Sequence, residues 1–318
     1  MINRLSRSAG LGAFGIFFLG ACSGGDGSGM APVTSATTTT PSTQASSVPI
    51  SLQGTNTTVA YQAASSTALV STGGVSGTTS SSAGQGATIT LTTNSNGVTT
   101  TVFNIPTTGA SFTQQYTSSV WDYGGVLGTN APTAALLVTI LRDVFGFPNT
   151  TGALVTQSIG AQSLSSAAYG FWASGDTATT GRAGTLAFGN LTPAVSVPGT
   201  GTATFNGATT GLGGAAGGNA IYALEGKVQV IANFASHSAT TNLTGLKTQS
   251  ISTNAIGALP DLTGVSTISG NAYAGTIAGT GLNGTVNGNF YGSAAQETAG
   301  VWQVSGGGNS WIGSFGAK

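Results

Sequence analysis

Charge is what this chain of 318 residues has least of: seven Lys and Arg, seven Asp and Glu, and a charged fraction of 4%, against about 25% in an ordinary soluble domain. Its surface must therefore be built from Thr, Ser, Asn and Gly. Thr suits a pleated strand, where a β-branched side chain packs well. The Glu and Lys that long surface helices favour are nearly missing. No basic stripe is available to replace the counterions of a nucleic acid, which excludes that class of partner. A single cysteine, Cys22, excludes a disulfide framework and any multi-cysteine metal site, and a single histidine, His237, excludes a histidine-rich one. No metal and no cofactor is expected.

Catalytic patterns are equally scarce. Neither a G-x-S-x-G elbow nor a phosphate-binding loop occurs. "GTGLNG" (279–284) matches G-x-G-x-x-G literally, but a dinucleotide site needs a helix after it, and the residues that follow, "TVNGNFYG", read as a strand. Gly-rich β-turns are expected there. His237, in "ASHSA", reads as a loop histidine. No catalytic residue is assigned, and the chain is expected not to be an enzyme.

What is present begins with an address. Residues 1–21, "MINRLSRSAGLGAFGIFFLGA", carry Arg4 and Arg7 ahead of the apolar run "LGAFGIFFL" (11–19), which is too short for a bilayer span of about 20 residues. Leu19-Gly20-Ala21-Cys22 closes it. This resembles the lipobox of bacterial lipoproteins, and the resemblance implies cleavage before Cys22 and acylation (palmitate among the chains) of its sulfur and new amine. The alternative is a plain secretory signal that happens to precede a cysteine. Two acyl chains suffice for stable membrane anchoring, and Ser23 in place of Asp implies sorting to an outer membrane. Without Arg4 and Arg7, five basic residues face seven acidic ones, a net charge near −2. Residues 22–49, rich in Ser, Thr and Gly, cannot bury enough apolar surface to offset ordering entropy. They read as a disordered tether reaching roughly 30 Å on average and about 85 Å when extended.

Residues 50–164 read as a β-rich extension. In "ATITLTTNSNGVTTTVF" (87–103), Ile89 and Leu91 alternate with Thr88, Thr90 and Thr92, and Asn96-Gly97 offers a hairpin turn. One helix is expected near 132–145, where Leu136, Leu137, Ile140, Leu141, Val144 and Phe145 form a helical stripe between Pro132 and Gly146. Packing on a sheet or over a barrel end is its favoured role; a partner-binding or membrane-touching role is the alternative. Trp121 and Tyr123, in "SVWDYGG", are the candidate exposed ligand contacts.

From 165 to 318 the signal is many short strands separated by Gly, the pattern of a sandwich or a barrel. "KVQVIANF" (227–234) places Val228, Val230, Ala232 and Phe234 on one face, and "IYALEGKVQV" reads as a hairpin turning at Glu225-Gly226. Trp172 and Trp302 fall in predicted strands and are assigned to packing. A barrel removes the edges on which uncharged Thr-rich strands aggregate. A barrel spanning the outer membrane is disfavoured, because its strands need about 9–11 residues with an outward apolar band.

Three segments resemble the β-barrel domain of transferrin-binding protein B and its wider family of surface lipoproteins, many of them described as transferrin-binding-protein-like solute-binding proteins. "GNFYGSAAQETAG" (288–300) follows Gly-x-Phe-Tyr-Gly-x-x-Ala-x-Glu-x-x-Gly through Gly288, Phe290, Tyr291, Gly292, Ala295, Glu297 and Gly300. "TPAVSVPGTGTATFNGATTG" (192–211) is similar to the family's Pro-rich hairpin, with Phe205 where Tyr is usual, and "AAYGFWA" is similar to its Tyr-x-x-Gly-x-Trp strand. The resemblance implies an all-β fold with an eight-stranded antiparallel barrel in the C-terminal half. It implies a structural part for Glu297, accepting hydrogen bonds from backbone N–H groups of its own turn. It also implies a lipid-anchored envelope protein at the cell surface that binds a protein or small molecule through its loops. The alternative is a structural or adhesive lipoprotein, or a partner of an outer-membrane channel, with no soluble ligand. Receptors for transferrin in that family carry two lobes and this length holds one, so transferrin itself is not implied.

Overall fold

The computed structural model describes residues 57–71, 74–81, 87–93, 99–105, 110–116, 151–175, 180–215 and 221–318. The expected signal peptide, Cys22, the tether, Trp121, Tyr123 and the helix near 132–145 lie outside the described residues. What is described is almost entirely strand, with one 3-10 turn at Ala194–Ser196.

Two sheets form. The first holds β1 (Thr57–Ser71), β2 (Gly74–Ser81), β3 (Ala87–Thr93), β4 (Thr99–Ile105), β5 (Ala110–Tyr116), β6 (Thr151–Thr156), β7 (Ala167–Gly175) and β8 (Thr180–Gly189). Its strand order is β5-β4-β3-β1-β8-β7-β6, with β2 paired to β1 beyond β3. The hairpin read from 87–103 is β3 and β4, paired antiparallel with Thr93 opposite Thr99. Ile89 is buried between half-buried Thr88 and Thr90; the turn residues 94–98 lie outside the described set.

The second sheet holds β9 (Thr202–Ala215), β10 (Tyr222–Asn233), β11 (Ser238–Ser250), β12 (Ile256–Ala258), β13 (Leu262–Ser269), β14 (Ala272–Gly279), β15 (Leu282–Tyr291), β16 (Glu297–Gly306) and β17 (Asn309–Ala317). It is antiparallel throughout and closes through β10–β11 and β17–β9 into an eight-stranded barrel, with β12 an additional strand on β11. From sequence, the segments holding β7 and β8 fall within the barrel region beginning at 165. Their backbones instead pair with β6 and β1 in the first sheet, and the barrel strands begin at Thr202. Local alternation makes a strand; it does not choose the neighbour.

A second expectation changes in the same way. Glu225-Gly226 is not a turn: β10 runs through it unbroken against β9, and the register against β11 slips between Glu225 and Lys227. Gly serves a bulge as readily as a turn. Beyond the bulge, Val228, Val230, Ala232 and Phe234 are buried as the alternation predicts. "GTGLNG" is a β-hairpin, with Gly279 opposite Leu282 and Gly281 at φ +72°.

The barrel is filled. Phe205, Val230, Leu243, Tyr273, Val286, Phe290, Trp302 and Phe315 belong to one buried cluster inside it. Wide rings fit because each lies over a glycine directly opposite on the next strand: Trp302 over Gly313, Trp311 over Gly213, Tyr273 over Gly288 and Phe315 over Gly300. A Cβ at any of these glycines would meet the ring. Trp172 covers Gly184 in the first sheet by the same rule. Trp302 also donates from Nε1 to Thr209 Oγ1 at 2.9 Å, which satisfies the one polar atom the core takes from it.

The first sheet packs on the outer wall of β9, β16 and β17. Ala68, Val70, Val75, Phe171 and Ala183 meet Leu212, Ala223 and Ile312, and Tyr169 and Leu164 lie against Gly316. Hydroxyls lock the contact: Ser66 Oγ donates to Trp302 O at 3.4 Å and Ser314 Oγ to Gly170 O at 2.7 Å.

Candidate functional site

The motif residues 288–300 gather at one end of the barrel, where β15 turns into β16. Strand alternation divides them. Gly288, Phe290 and Gly300 face inward, while Tyr291 and Glu297, cross-strand partners, face outward toward the first sheet. Phe290 is a hub: its ring centroid lies 5.3 Å from Tyr273, 5.5 Å from Phe234 and 6.0 Å from Phe205. These four rings close the barrel end. The turn between the strands places Gly292 at φ +87° and Ala295 at φ +56°. Ala295 is buried in the same cluster, and its N–H donates to Thr192 Oγ1 at 3.2 Å.

Glu297 is 3% exposed and its carboxylate is fully engaged. Oε1 accepts from Ser165 N at 2.7 Å and Ser165 Oγ at 2.9 Å; Oε2 accepts from Ser166 N at 2.8 Å and Ala167 N at 3.0 Å. The donors are not in its own turn, as expected from the resemblance, but some 130 residues earlier, at the entry to β7. The turn at 292–296 serves itself: Ala294 N donates to Gln296 Oε1 at 3.0 Å and Gln296 Nε2 to Ser293 Oγ at 3.0 Å. Charge-assisted bonds of this kind are about twice as strong as neutral ones. Glu297 thus ties the first sheet to the barrel, with both carboxylate oxygens committed to donors at the entry to β7.

Two phenols sit in the same region. Burial holds Tyr273 and Tyr291 protonated above the usual tyrosine range; Tyr273 also bonds Thr298 Oγ1 at 2.8 Å, whereas the Tyr291 hydroxyl has no hydrogen-bond partner among the described residues. Among the described residues, no group of His, Cys, Asp and Glu is arranged to hold a metal ion. His237 is an exposed turn residue at φ +52°.

The outer wall away from the first sheet meets solvent. On β13 and β14 it presents Thr263, Val265, Thr267, Ala274, Thr276 and Ala278, all exposed. Charge is concentrated in one place. Of the six Lys, Asp and Glu residues after 197, four (Glu225, Lys227, Lys247 and Asp261) lie around the β10–β11 bulge. Glu225 stands opposite Lys247, and Asp261 Oδ1 accepts from Gly245 N at 3.0 Å. Beside them, Ile256 on β12 is 80% exposed. This patch was legible as a clustering of rare charges within 37 residues of sequence, 225–261, but its apolar centre was not.

Residues 197–318 match the family model described as the C-lobe and N-lobe β-barrels of transferrin-binding protein B. No curated protein matches the chain in a sequence search. Among solved structures, a transferrin-binding protein B variant from Haemophilus parasuis Hp5 is similar at 13% identity and a TM-score of 0.41, covering 72% of this chain and 52% of its own. A variant of that protein from Actinobacillus pleuropneumoniae H49 is similar at 14% identity and a TM-score of 0.41, covering 81% and 98%. HpuA from Kingella denitrificans, solved with human haemoglobin, is similar at 15% identity and a TM-score of 0.34, covering 85% and 90%. The chain spans about half the length of the first of these, at 52%. Residues 197–318 thus match the family model of the transferrin-binding protein B β-barrels, and over that span the chain forms a closed eight-stranded barrel.

Proposed function

We propose that this chain is a lipid-anchored binding protein of the cell envelope, held in the outer membrane by acylated Cys22 and displaying its barrel at the cell surface. The match of residues 197–318 to the barrel model of the transferrin-binding protein B family supports this reading. The observation that carries the binding mode is the filled barrel. Phe290, Trp302, Tyr273 and Phe315 occupy the interior, so a partner is met on the outer wall and the loops. That favours a protein partner over a small molecule held inside the barrel. Side-chain chemistry for catalysis has no counterpart in this reading: the one buried acid among the described residues, Glu297, is committed to backbone N–H groups.

Protease treatment of intact cells, with a Cys22→Ser strain and lysed cells as controls, tests it. Loss of the mature band from intact wild-type cells, and its release from the membrane fraction in the Cys22→Ser strain, is the expected result. Survival in intact cells with digestion after lysis would place the barrel in the periplasm and refute the surface reading.

A further inference from the structure

β12 leaves one edge of the closed barrel's wall open. It runs beside β11 with Gln249 opposite Ile256, Thr248 opposite Gly257 and Lys247 opposite Ala258. Ser250 N donates to Ala255 O at 2.9 Å and Leu259 N to Leu246 O at 3.0 Å. In an antiparallel ladder, alternate residues direct both main-chain groups to the same neighbour. Residues 255, 257 and 259 therefore serve β11, and the N–H and C=O of Ile256 and Ala258 point away from the barrel. Among the described residues no strand pairs with that edge, and residues 256–258 are all exposed. Of the devices that guard an edge, shortness is present, since the strand is three residues long and Pro260 follows it, while a charge, a proline or a bulge within Ile256-Gly257-Ala258 is missing.

We infer that this edge pairs with the same edge of a second copy of the chain, antiparallel and two-fold about Gly257. An isologous contact needs a self-complementary surface, and this one is. Ile256 lies opposite Ala258 of the second copy, and the two pairs exchange about four main-chain hydrogen bonds. The sheet then continues β10-β11-β12 into the second copy's β12-β11-β10. Ile256, at 80% exposure, gains cover from Ala258 of the second copy and from the aliphatic stem of its Lys247, cross-strand from that alanine. The charges at the rim, Glu225, Lys227, Lys247 and Asp261, sum to zero, so the two copies carry no net repulsion. Three residues make a weak contact. The dimer is therefore expected at high chain concentration, where it is to be read.

The register makes the test specific. In a two-fold about Gly257 the two Gly257 residues form a non-hydrogen-bonded pair, with Cα atoms about 4.5 Å apart, within disulfide range. In the mature chain with Cys22→Ser, no other cysteine is present. Gly257→Cys should then form a disulfide-linked dimer under mild oxidation, while Val265→Cys, 65% exposed on the barrel wall, stays monomeric. Sedimentation of the Cys22→Ser chain should show dimer rising with concentration. Ala258→Pro removes an outward N–H that the fold does not use, and with it two of the intermolecular bonds. It should weaken the dimer by roughly 25-fold, about fivefold per bond, with unchanged circular dichroism. A monomer at every concentration, or equal cross-linking at 257 and 265, overturns the proposal. Neither result depends on which side of the membrane displays the barrel.

Discussion

Removing the Glu297 carboxylate should loosen the first sheet from the barrel before it harms the barrel itself. Glu297→Ala leaves three N–H donors without their acceptor. Ser165 is exposed and recovers water, so the loss falls on Ser166 and Ala167, which are 6% and 0% exposed. An unsatisfied buried donor costs about 1–3 kcal/mol, which puts Glu297→Ala at about 2–5 kcal/mol once local relaxation is allowed. That is a large part of a stability of about 5–15 kcal/mol. Glu297→Gln keeps one carbonyl oxygen but sets its NH₂ against a backbone N–H, donor facing donor, and should cost about 1–3 kcal/mol. Urea unfolding of the mature Cys22→Ser chain measures both, and hydrogen exchange locates the effect: the Ser166 and Ala167 amides should lose protection while the strand amides of β16 and β17 keep it. A Glu297→Gln chain as stable as wild type, or a Glu297→Ala chain within about 0.5 kcal/mol of it, would refute the reasoning.

The fit of ring over glycine makes a second test: Gly313→Ala drives a methyl into the Trp302 ring and should destabilise by about 1–3 kcal/mol, whereas Gly199→Ala, with nothing within 4 Å of the added carbon, should be neutral or slightly stabilising in the same urea assay. Trp302→Phe loses the Nε1 bond to Thr209 and part of the ring, and thermal melts should show a loss of about 1–3 kcal/mol. Stability should fall in alkali. Tyr273 and Tyr291 stay protonated in the folded chain above the ordinary value of 10.0, while the unfolded chain releases those protons. The folded state then binds more protons, and stability, full below about pH 10, declines above it by about 1.4 kcal/mol per pH unit for each phenol. Tyr291→Phe, which deletes a hydroxyl with no partner among the described residues, should leave stability near neutral pH unchanged and make that decline shallower; an unchanged slope would count against Tyr291 being retained as the neutral phenol.

Sequence alone determined what depends on neighbours along the chain. Scarce charge and abundant Thr and Gly specify strands. The alternation of Val228, Val230, Ala232 and Phe234 specifies which face is buried, because side chains alternate across any strand whatever lies beside it. The motif from Gly288 to Gly300 carried the resemblance to a known barrel family, and the assignment of Trp172 and Trp302 to packing followed from their place in strands. Tertiary structure decided what depends on partners distant in sequence. β7 and β8 have the composition of barrel strands, yet β1 and β6 claim their edges. Glu225-Gly226 satisfies a turn or a bulge equally, and the registers of β9 and β11 select the bulge. Glu297 announces only that a buried acid needs donors; that Ser165, Ser166 and Ala167 supply them follows from how the first sheet lies on the barrel. The open edge at Ile256–Ala258 is likewise invisible in sequence, since an edge exists only once every other strand has found its neighbour.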